Sequence, residues 1–192
     1  FEKERSSEDD VAIYQAATAR FYNAVYTFPK PTIAMIRGYC IGGGMGLAVA
    51  CDIRLCEDKS RFAVPAAKLG LGYGYDGVRR LSHLVGPSMV KEIFFTSRQF
   101  TAQEAYDMGL ANRVLPPHML DAYVSDYAKR ISENAPMTMA SIKSITHEIA
   151  KEESEQDLDR IAAEVKACFD SKDYIEGRRA FMEKRKPDFI GA

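Results

Sequence analysis

The sequence is poor in residue types on which several specialised functions depend. Its 192 residues include no tryptophan and three histidines, and 26 basic against 27 acidic side chains leave a net charge of −1. That balance does not favour nucleic acid as the main partner. The histidines are scattered, and none has metal-ligand spacing to a cysteine or to another histidine: His83, His118 and His147. We therefore expect no metal site.

Long apolar runs and a signal-peptide pattern are also missing, which argues against a membrane span or a secreted protein. The four cysteines form no C-x-x-C pair, which favours buried free thiols in a reducing cytoplasm: Cys40, Cys51, Cys56 and Cys168. The chain starts at Phe1 without a methionine, and the polar stretch EKERSSEDD after it is typical of a surface loop. We therefore expect the natural N-terminus to lie elsewhere.

The first half of the chain alternates helical and strand patterns. Apolar residues recur at helical spacing from Val11 to Phe28 behind the cap-like Asp9 and Asp10, at Val11, Tyr14, Ala17, Phe21, Val25 and Phe28. TIAMIRG, the glycine turn, MGLAVAC and DIRLCED then read as strand, turn, helix and strand. This βαβ pattern predicts an α/β core, with a third short strand in SRFAVP before the loop LGLGYGYDG.

The second half is predicted to be mostly helical. Pro87 marks a helix start before SMVKEIFFT, and TAQEAYDMG carries a capping box of Thr101 and Glu104. After a short strand in ANRVLP, helices are expected near 119–133, 136–150, 154–169 and 171–184. We place the boundary between the α/β core (1–115) and the helical region (116–192) after this strand.

Three consecutive glycines, Gly42 to Gly44, separate a predicted strand from a predicted helix. Free N–H groups at such a helix start bind a phosphate or a developing oxyanion. A nucleotide P-loop requires G-K-[ST], which Gly44-Met45-Gly46 does not provide, and the G-x-G-x-x-G spacing is also missing. An oxyanion hole for a thioester carbonyl remains, beside the alternative that the glycines serve close helix packing alone.

Several spaced motifs resemble the crotonase (enoyl-CoA hydratase/isomerase) superfamily: KPTIAMIRGYCIGGGMGLAVACDIRLCEDKSRFAVPAAKLGLGYG, AQEAYDMGLANRVLP and GRRAFMEKRKPDF. The resemblance implies an α/β fold, a crotonase-like spiral of ββα turns followed by a helical C-terminal trimerisation region. It also implies CoA thioester substrates, with coenzyme A as part of the substrate and no separate cofactor. Gly43 corresponds to one of two backbone oxyanion donors. The other, with the N-terminal strands, is expected to precede residue 1.

Two departures from the family pattern concern its acid/base groups. Hydratases of the family carry one glutamate two residues after the third glycine and another after the proline of F-x-x-P. This chain has Gly46 at the first position and Ala66, after Pro65, at the second. Without both carboxylates, ordinary hydration by that mechanism is disfavoured, because a base must activate the water.

Two polar residues follow in the loop that would line the acyl pocket. Tyr73 corresponds to a tyrosine near the substrate carboxylate in methylmalonyl-CoA decarboxylases, although those enzymes carry a glutamate where this chain has Gly46; a packed loop tyrosine is the alternative. Asp76 is a candidate general base, two residues beyond the aspartate position of other branches, but a helix N-cap is favoured. We assign substrate binding to Ile41, Gly42, Pro65, Leu69, Gly74, Phe181 and Lys184.

Three functions remain open. The first is an enzyme that decarboxylates a malonyl-CoA-type substrate through an oxyanion-stabilised enolate. The second is an enoyl-CoA hydratase or isomerase with a relocated acid/base such as Asp76, and the third is a non-catalytic acyl-CoA-binding subunit. Apolar stripes such as Ile142, Ile145 and Ile149 favour a homotrimer or a dimer of trimers.

Overall fold

The computed structural model describes residues 8–192, which divide into two compact units. The first runs to residue 28 and from 32 to 121, and the second comprises 29–31 and 122–192. The first half of the chain contains α1 (Glu8–Tyr26), β1 (Ile33–Ile36), β2 (Tyr39–Ile41), α2 (Gly43–Ala50), β3 (Ile53–Glu57), β4 (Arg61–Ala63) and α3 (Tyr75–Thr96). The remaining elements are β5 (Phe100–Thr101), α4 (Ala102–Asp107), β6 (Arg113–Leu115), α5 (Leu120–Ser132), α6 (Pro136–Ile149), α7 (Leu158–Asp170) and α8 (Lys172–Glu183).

The strands of the first unit form two small sheets, ordered β1-β3-β6 and β2-β4-β5. All pairs are parallel except β4 with β5. Two strands followed by a helix occur twice, as β1-β2-α2 and β3-β4-α3, and equivalent strands of the two repeats pair with each other. The predicted α/β core of ββα turns is therefore confirmed.

The strand predicted in TIAMIRG is confirmed as β1, but the sequence pattern did not predict the second strand at Tyr39–Ile41. The chain turns at Gly38, which has a φ of 60°, and continues as β2 in the other sheet. The N–H of Gly38 donates to Glu57 Oε1 at 2.9 Å, which holds the turn against the end of β3. A left-handed φ is available to glycine at little cost, so this residue lets consecutive strands join different sheets.

Helix α1 only partly follows its predicted apolar face. Ala17, Phe21 and Phe28 are exposed, whereas Tyr22 and Tyr26 are half-buried. Asp9 and Asp10 already lie within the described part of this helix, Glu8–Tyr26, rather than before it. Residues 1–7, which contain most of the predicted surface loop, lie outside the described residues.

Two helix starts predicted in the middle of the chain, at Pro87 and at Thr101, are confirmed. α3 is interrupted at Gly86, whose φ of 78° and ψ of 159° are not helical, and Pro87 begins its second part. The N–H of Glu104 donates to Thr101 Oγ1 at 3.2 Å, and the N–H of Thr101 donates to Glu104 Oε2 at 2.7 Å. This reciprocal pair is the predicted capping box at the start of α4.

In the second unit, a buried carboxylate on Glu148 joins α6 to α7. It accepts hydrogen bonds from Lys151 Nζ at 2.8 Å, from the N–H of Asp157 at 2.6 Å and from the Arg160 guanidinium. The Lys151 ammonium contributes most to lowering the pKa of Glu148 to about 2. Asp157 caps α7, which therefore begins at Leu158 rather than near residue 154 as predicted.

Among residues 8–192, no helix is long and apolar enough to cross a membrane.

A buried arginine on β3, Arg54, is 3% exposed and fixes the far end of α2. Its guanidinium donates to the carbonyls of Cys51 at 2.7 Å and Ala48 at 3.3 Å, at the C-terminal end of the helix. Nε donates to the carbonyl of Leu110 at 2.6 Å. A cation at a helix C-terminus is favourable because the helix dipole is negative there. One side chain thus ties α2, β3 and the chain after α4 together.

We expect Arg54→Met to lower the free energy of unfolding by at least about 2 kcal/mol, because unpaired buried carbonyls cost about 1–3 kcal/mol. Urea denaturation measures the change. Arg113→Met, at an exposed arginine of the neighbouring strand β6, is the matched control and should change stability by about 0.5 kcal/mol or less. Equal losses in the two variants would contradict the role of Arg54.

Candidate active site

The site begins where two neighbouring parallel strands end. β2 pairs with β4 so that Ile41 lies beside Ala63, and the N–H of Gly42 donates to the carbonyl of Ala63 at 3.0 Å. The carboxyl ends of parallel strands meet at the same edge, so the glycine turn lies next to Val64 and Pro65. The chain after β4 forms a single 3-10 turn, Pro65–Leu69, which packs against α3, and α2 packs against the same helix.

The glycine turn presents free backbone donors. Gly42 has a φ of 57° and precedes α2, whose first internal bond runs from the N–H of Gly46 to the carbonyl of Gly42 at 3.0 Å. The N–H groups of Gly43, Gly44 and Met45 therefore have no partner within the helix. Gly43 and Gly44 are exposed, whereas Met45 is buried. This is the donor arrangement that the sequence predicts around Gly43, at the positive end of the helix dipole.

Tyr22, on α1, covers the glycine turn from one side. Its hydroxyl donates to the carbonyl of Gly43 at 2.9 Å. A Cβ on Gly46 would lie 2.8 Å from Tyr22 Cζ and 2.9 Å from both Cε2 and Oη, so the ring fills the space beside Gly46. Burial raises the pKa of Tyr22, and the nearby Tyr14 raises it further.

Sequence reasoning missed Tyr22, because it lies outside the apolar stripe predicted for α1. The available signal was Gly46 itself. Glycine inside a helix costs about 1 kcal/mol relative to alanine. A glycine at a buried helical position therefore indicates that another group approaches closely, although not which one.

At both positions where the hydratases carry a glutamate, a carboxylate side chain would not fit unless neighbouring groups moved. Gly46 is covered by Tyr22, and Ala66 is 5% exposed within the 3-10 turn. Of the predicted binding residues on this turn, Pro65 is half-buried and Leu69 is 67% exposed. The apolar side chain of Leu69 is therefore available to a ligand, while Ala66 belongs to the core.

Tyr73 lies just before α3 and is packed against the core. Its ring makes an edge contact with Phe94, with centroids 5.0 Å apart, and a Cβ on Gly77 would lie 2.9 Å from Tyr73 Cε1. Burial raises the pKa of Tyr73 to about 12, with smaller contributions from Tyr22 and Tyr14. Among residues 8–192 its hydroxyl has no hydrogen-bond partner. Tyr73 therefore combines a fixed ring with a neutral hydroxyl.

The favoured role of Asp76 as a helix N-cap is wrong. α3 starts two residues earlier than that role requires, with Gly74 at the N-cap and Tyr75 as its first residue. Asp76 lies inside the first turn, where a carboxylate is favourable to the helix dipole, and is 3.9 Å from Arg79. Its side chain is 64% exposed.

Two predicted binding residues, Phe181 and Lys184, belong to the second unit. Phe181 is 82% exposed and lines an apolar groove of about 550 Å³ with residues of α6, α7 and α8. Lys184 is exposed at the C-terminal end of α8. Its neighbour Arg185 is held by Glu176 through bonds of 2.6 and 3.0 Å, and Lys186 pairs with Glu133. The assignment of Lys184 to substrate binding stays a prediction.

The cysteines near the glycine turn have the environment of inert thiols. Among the described residues none of the four cysteines forms a disulfide, and burial raises the pKa of Cys40 to about 12 and that of Cys56 to about 11. Cys51 and Cys168 are half-buried rather than buried as expected. Among residues 8–192, no cluster of three or more histidine, cysteine or acidic side chains is placed to hold a metal ion.

Comparison with known proteins identifies the family. The sequence profile described as "Enoyl-CoA hydratase/isomerase" matches residues 2–192. The chain belongs to the enoyl-CoA hydratase/isomerase family. Over 171 residues it is 36% identical to a carnitinyl-CoA dehydratase of Salmonella arizonae, covering 87% of this chain and 66% of that protein. Over 184 residues it is 33% identical to a methylmalonyl-CoA decarboxylase of Escherichia coli, covering 95% and 70% of the two chains.

A solved structure of this family shares the fold. The structure of an enoyl-CoA hydratase/carnithine racemase from Magnetospirillum magneticum superposes with a TM-score of 0.91 at 33% identity. It covers 100% of this chain and 71% of the other. The crotonase-like fold implied by the sequence motifs is therefore confirmed.

Proposed function

We propose that the protein acts on a CoA thioester and stabilises its enolate with the N–H of Gly43. The observation that carries the proposal is the N–H of Gly43, which has no partner within α2 and lies next to the end of β4. The matching family and relatives named as a carnitinyl-CoA dehydratase, a crotonyl-CoA hydratase and a methylmalonyl-CoA decarboxylase support a CoA thioester as substrate.

The reaction that best fits the site is decarboxylation of a malonyl-CoA-type substrate. The bond between the α carbon and the carboxylate breaks, CO₂ leaves, and the electron pair passes into the thioester enolate. The N–H of Gly43 donates to the enolate oxygen, and the Tyr73 hydroxyl orients the departing carboxylate. No base is needed in this step, in agreement with Gly46 and Ala66 at the positions of the hydratase glutamates.

A hydratase or isomerase with Asp76 as its acid/base is the second candidate, supported by the names of several relatives. Asp76 is an exposed carboxylate in the first turn of α3. An acyl-CoA-binding subunit without activity is the third candidate. Assays of the full-length protein with methylmalonyl-CoA and crotonyl-CoA separate the three functions.

Removing the Gly43 N–H should abolish most of the activity. We expect Gly43→Pro to lower turnover by a factor that corresponds to about 3 kcal/mol, as for other oxyanion donors. Proline suits the first position of a helix, so the fold should survive. Gly43→Ala is the matched control: it adds a Cβ 3.3 Å from Tyr22 Oη but keeps the N–H. A folded Gly43→Pro protein as active as Gly43→Ala would refute the assignment.

Tyr73→Phe keeps the ring between Phe94 and Gly77 and removes the hydroxyl. We expect methylmalonyl-CoA decarboxylation to fall at least tenfold, about 1.4 kcal/mol, while acetyl-CoA affinity measured by calorimetry stays nearly unchanged. The opposite pattern, brisk crotonyl-CoA hydration that is lost on Asp76→Asn, would select the second candidate.

We further propose that the protein assembles as a homotrimer or a dimer of trimers. The second unit leaves several large apolar side chains exposed, among them Ile142, Ile149, Phe169, Phe181 and Met182. Large exposed apolar patches typically mark a surface that is buried against another protein chain. Analytical ultracentrifugation at micromolar concentration should give three or six times the chain mass. A monomer would contradict the proposal.

A further inference from the structure

The space beside Gly46, where the family resemblance implies a carboxylate, is occupied by a tyrosine from another helix. Building on the proposed function, we propose that Tyr22 is a positioning residue that replaces this carboxylate. Its ring fills the space that a side chain at position 46 would need, and its hydroxyl holds the peptide group after Gly43. Gly46 and Tyr22 thus form one unit, in which the observed position of the ring requires glycine at position 46.

The Tyr22 ring leaves too little space for a side chain at position 46. A Cβ at position 46 would come within 2.8–2.9 Å of three atoms at the outer end of the tyrosine ring. Carbon atoms that are not bonded to each other favour separations of about 3.5–4.0 Å. The ring could admit a Cβ only by swinging away, and it would then lose its hydrogen bond to Gly43. A glutamate at this position would need still more of the same space.

The Tyr22 hydroxyl also restrains the glycine turn. Glycine has more backbone freedom than other residues, so a contact from outside α2 helps to hold the glycines of its first turn in one conformation. The Tyr22 hydroxyl supplies that contact by donating to the carbonyl of Gly43. The same peptide group carries the N–H of Gly44. A hydrogen bond to the carbonyl polarises the peptide and strengthens its N–H as a donor.

Helix α1 is itself anchored beside the site, so Tyr22 has a defined position. Arg80, a buried residue of α3, donates to Asn23 Oδ1 at 3.1 Å, and its guanidinium lies 4.3 Å from the ring centroid of Tyr26. Asn23 directly follows Tyr22, and Tyr26 lies about one helical turn further along α1.

The chemistry of a phenol differs from that of the carboxylate it replaces. Burial raises the pKa of Tyr22, so its hydroxyl stays protonated near neutral pH and donates a hydrogen bond. It does not accept a proton from water as a glutamate does. Tyr22 therefore suits reactions in which the enolate forms by loss of a group rather than by removal of a proton.

A thermal double-mutant cycle tests the steric unit without any assay of activity. We expect Gly46→Ala to lower the Tm of the otherwise unchanged protein. In the background of Tyr22→Ala, the same substitution should leave the Tm unchanged or raise it, because alanine favours a helix once the ring is gone. An equal loss of Tm in both backgrounds would overturn the proposed pairing.

Tyr22→Phe tests the hydroxyl, since it keeps the ring over Gly46. The matched control is Tyr26→Phe, which removes a hydroxyl from the same helix but leaves the ring against Arg80. We expect Tyr22→Phe to shift the ¹⁵N–H resonances of Gly43 and Gly44 clearly more than the control does. We also expect at least a fivefold fall in kcat for methylmalonyl-CoA, with KM within twofold.

These measurements separate the failure of this inference from that of the proposed function. If the unchanged protein turns over no CoA thioester, the proposed function fails, and the Tm cycle and the glycine resonances still decide the pairing. Tyr22→Phe resonances and kcat equal to those of Tyr26→Phe would overturn the positioning role.

Discussion

The fold of the first unit depends on one buried cation. The Arg54 guanidinium is enclosed by backbone carbonyls from the end of α2, from Asp52 just before β3 and from Leu110. Burial lowers its pKa, but an arginine keeps its charge in proteins, so the carbonyls must stay in place to solvate it. α2 has eight residues, and fixing one end of so short a helix also fixes the other. Arg54 therefore also helps to hold the N–H groups of the glycine turn, at the opposite end of α2, in place.

Two tyrosines complete the site, and both lie against glycines. Tyr22 covers Gly46 in α2, and Tyr73 covers Gly77 in α3. In each case the missing side chain lets an aromatic ring approach a helix backbone. Burial raises the pKa of both hydroxyls, so they stay protonated near neutral pH. A protonated phenol can donate a hydrogen bond to negative charge without supplying a base, as the proposed decarboxylation requires.

Much of this arrangement was predictable, because its signals are local. Gly43 at a helix start, the capping box of Thr101 and Glu104, and the break before Pro87 each follow from a few neighbouring residues. The βαβ pattern was equally clear. Gly38 was harder to interpret, because a glycine at a turn does not indicate that the next strand enters another sheet.

The errors concern contacts between segments that are distant in the sequence. The face of α1 was assigned from its own periodicity, yet Tyr22 is half-buried because Gly46 leaves room for it 24 positions later. Asp76 was taken as a cap because aspartate favours that position, but the chain enters α3 through Gly74. The preference of aspartate for N-cap positions therefore located the start of α3 to within two residues, but it did not identify Gly74 as the N-cap.

The contact between Gly46 and Tyr22 also restricts how this sequence can change over evolutionary time. A mutation that introduces glutamate at position 46 first meets the tyrosine ring, and a mutation that removes the ring first leaves a hole beside the glycine turn. Either order passes through a disfavoured intermediate. A single mutation therefore does not convert this site into the glutamate-bearing type, and descendants of this chain are expected to keep or lose the two residues together.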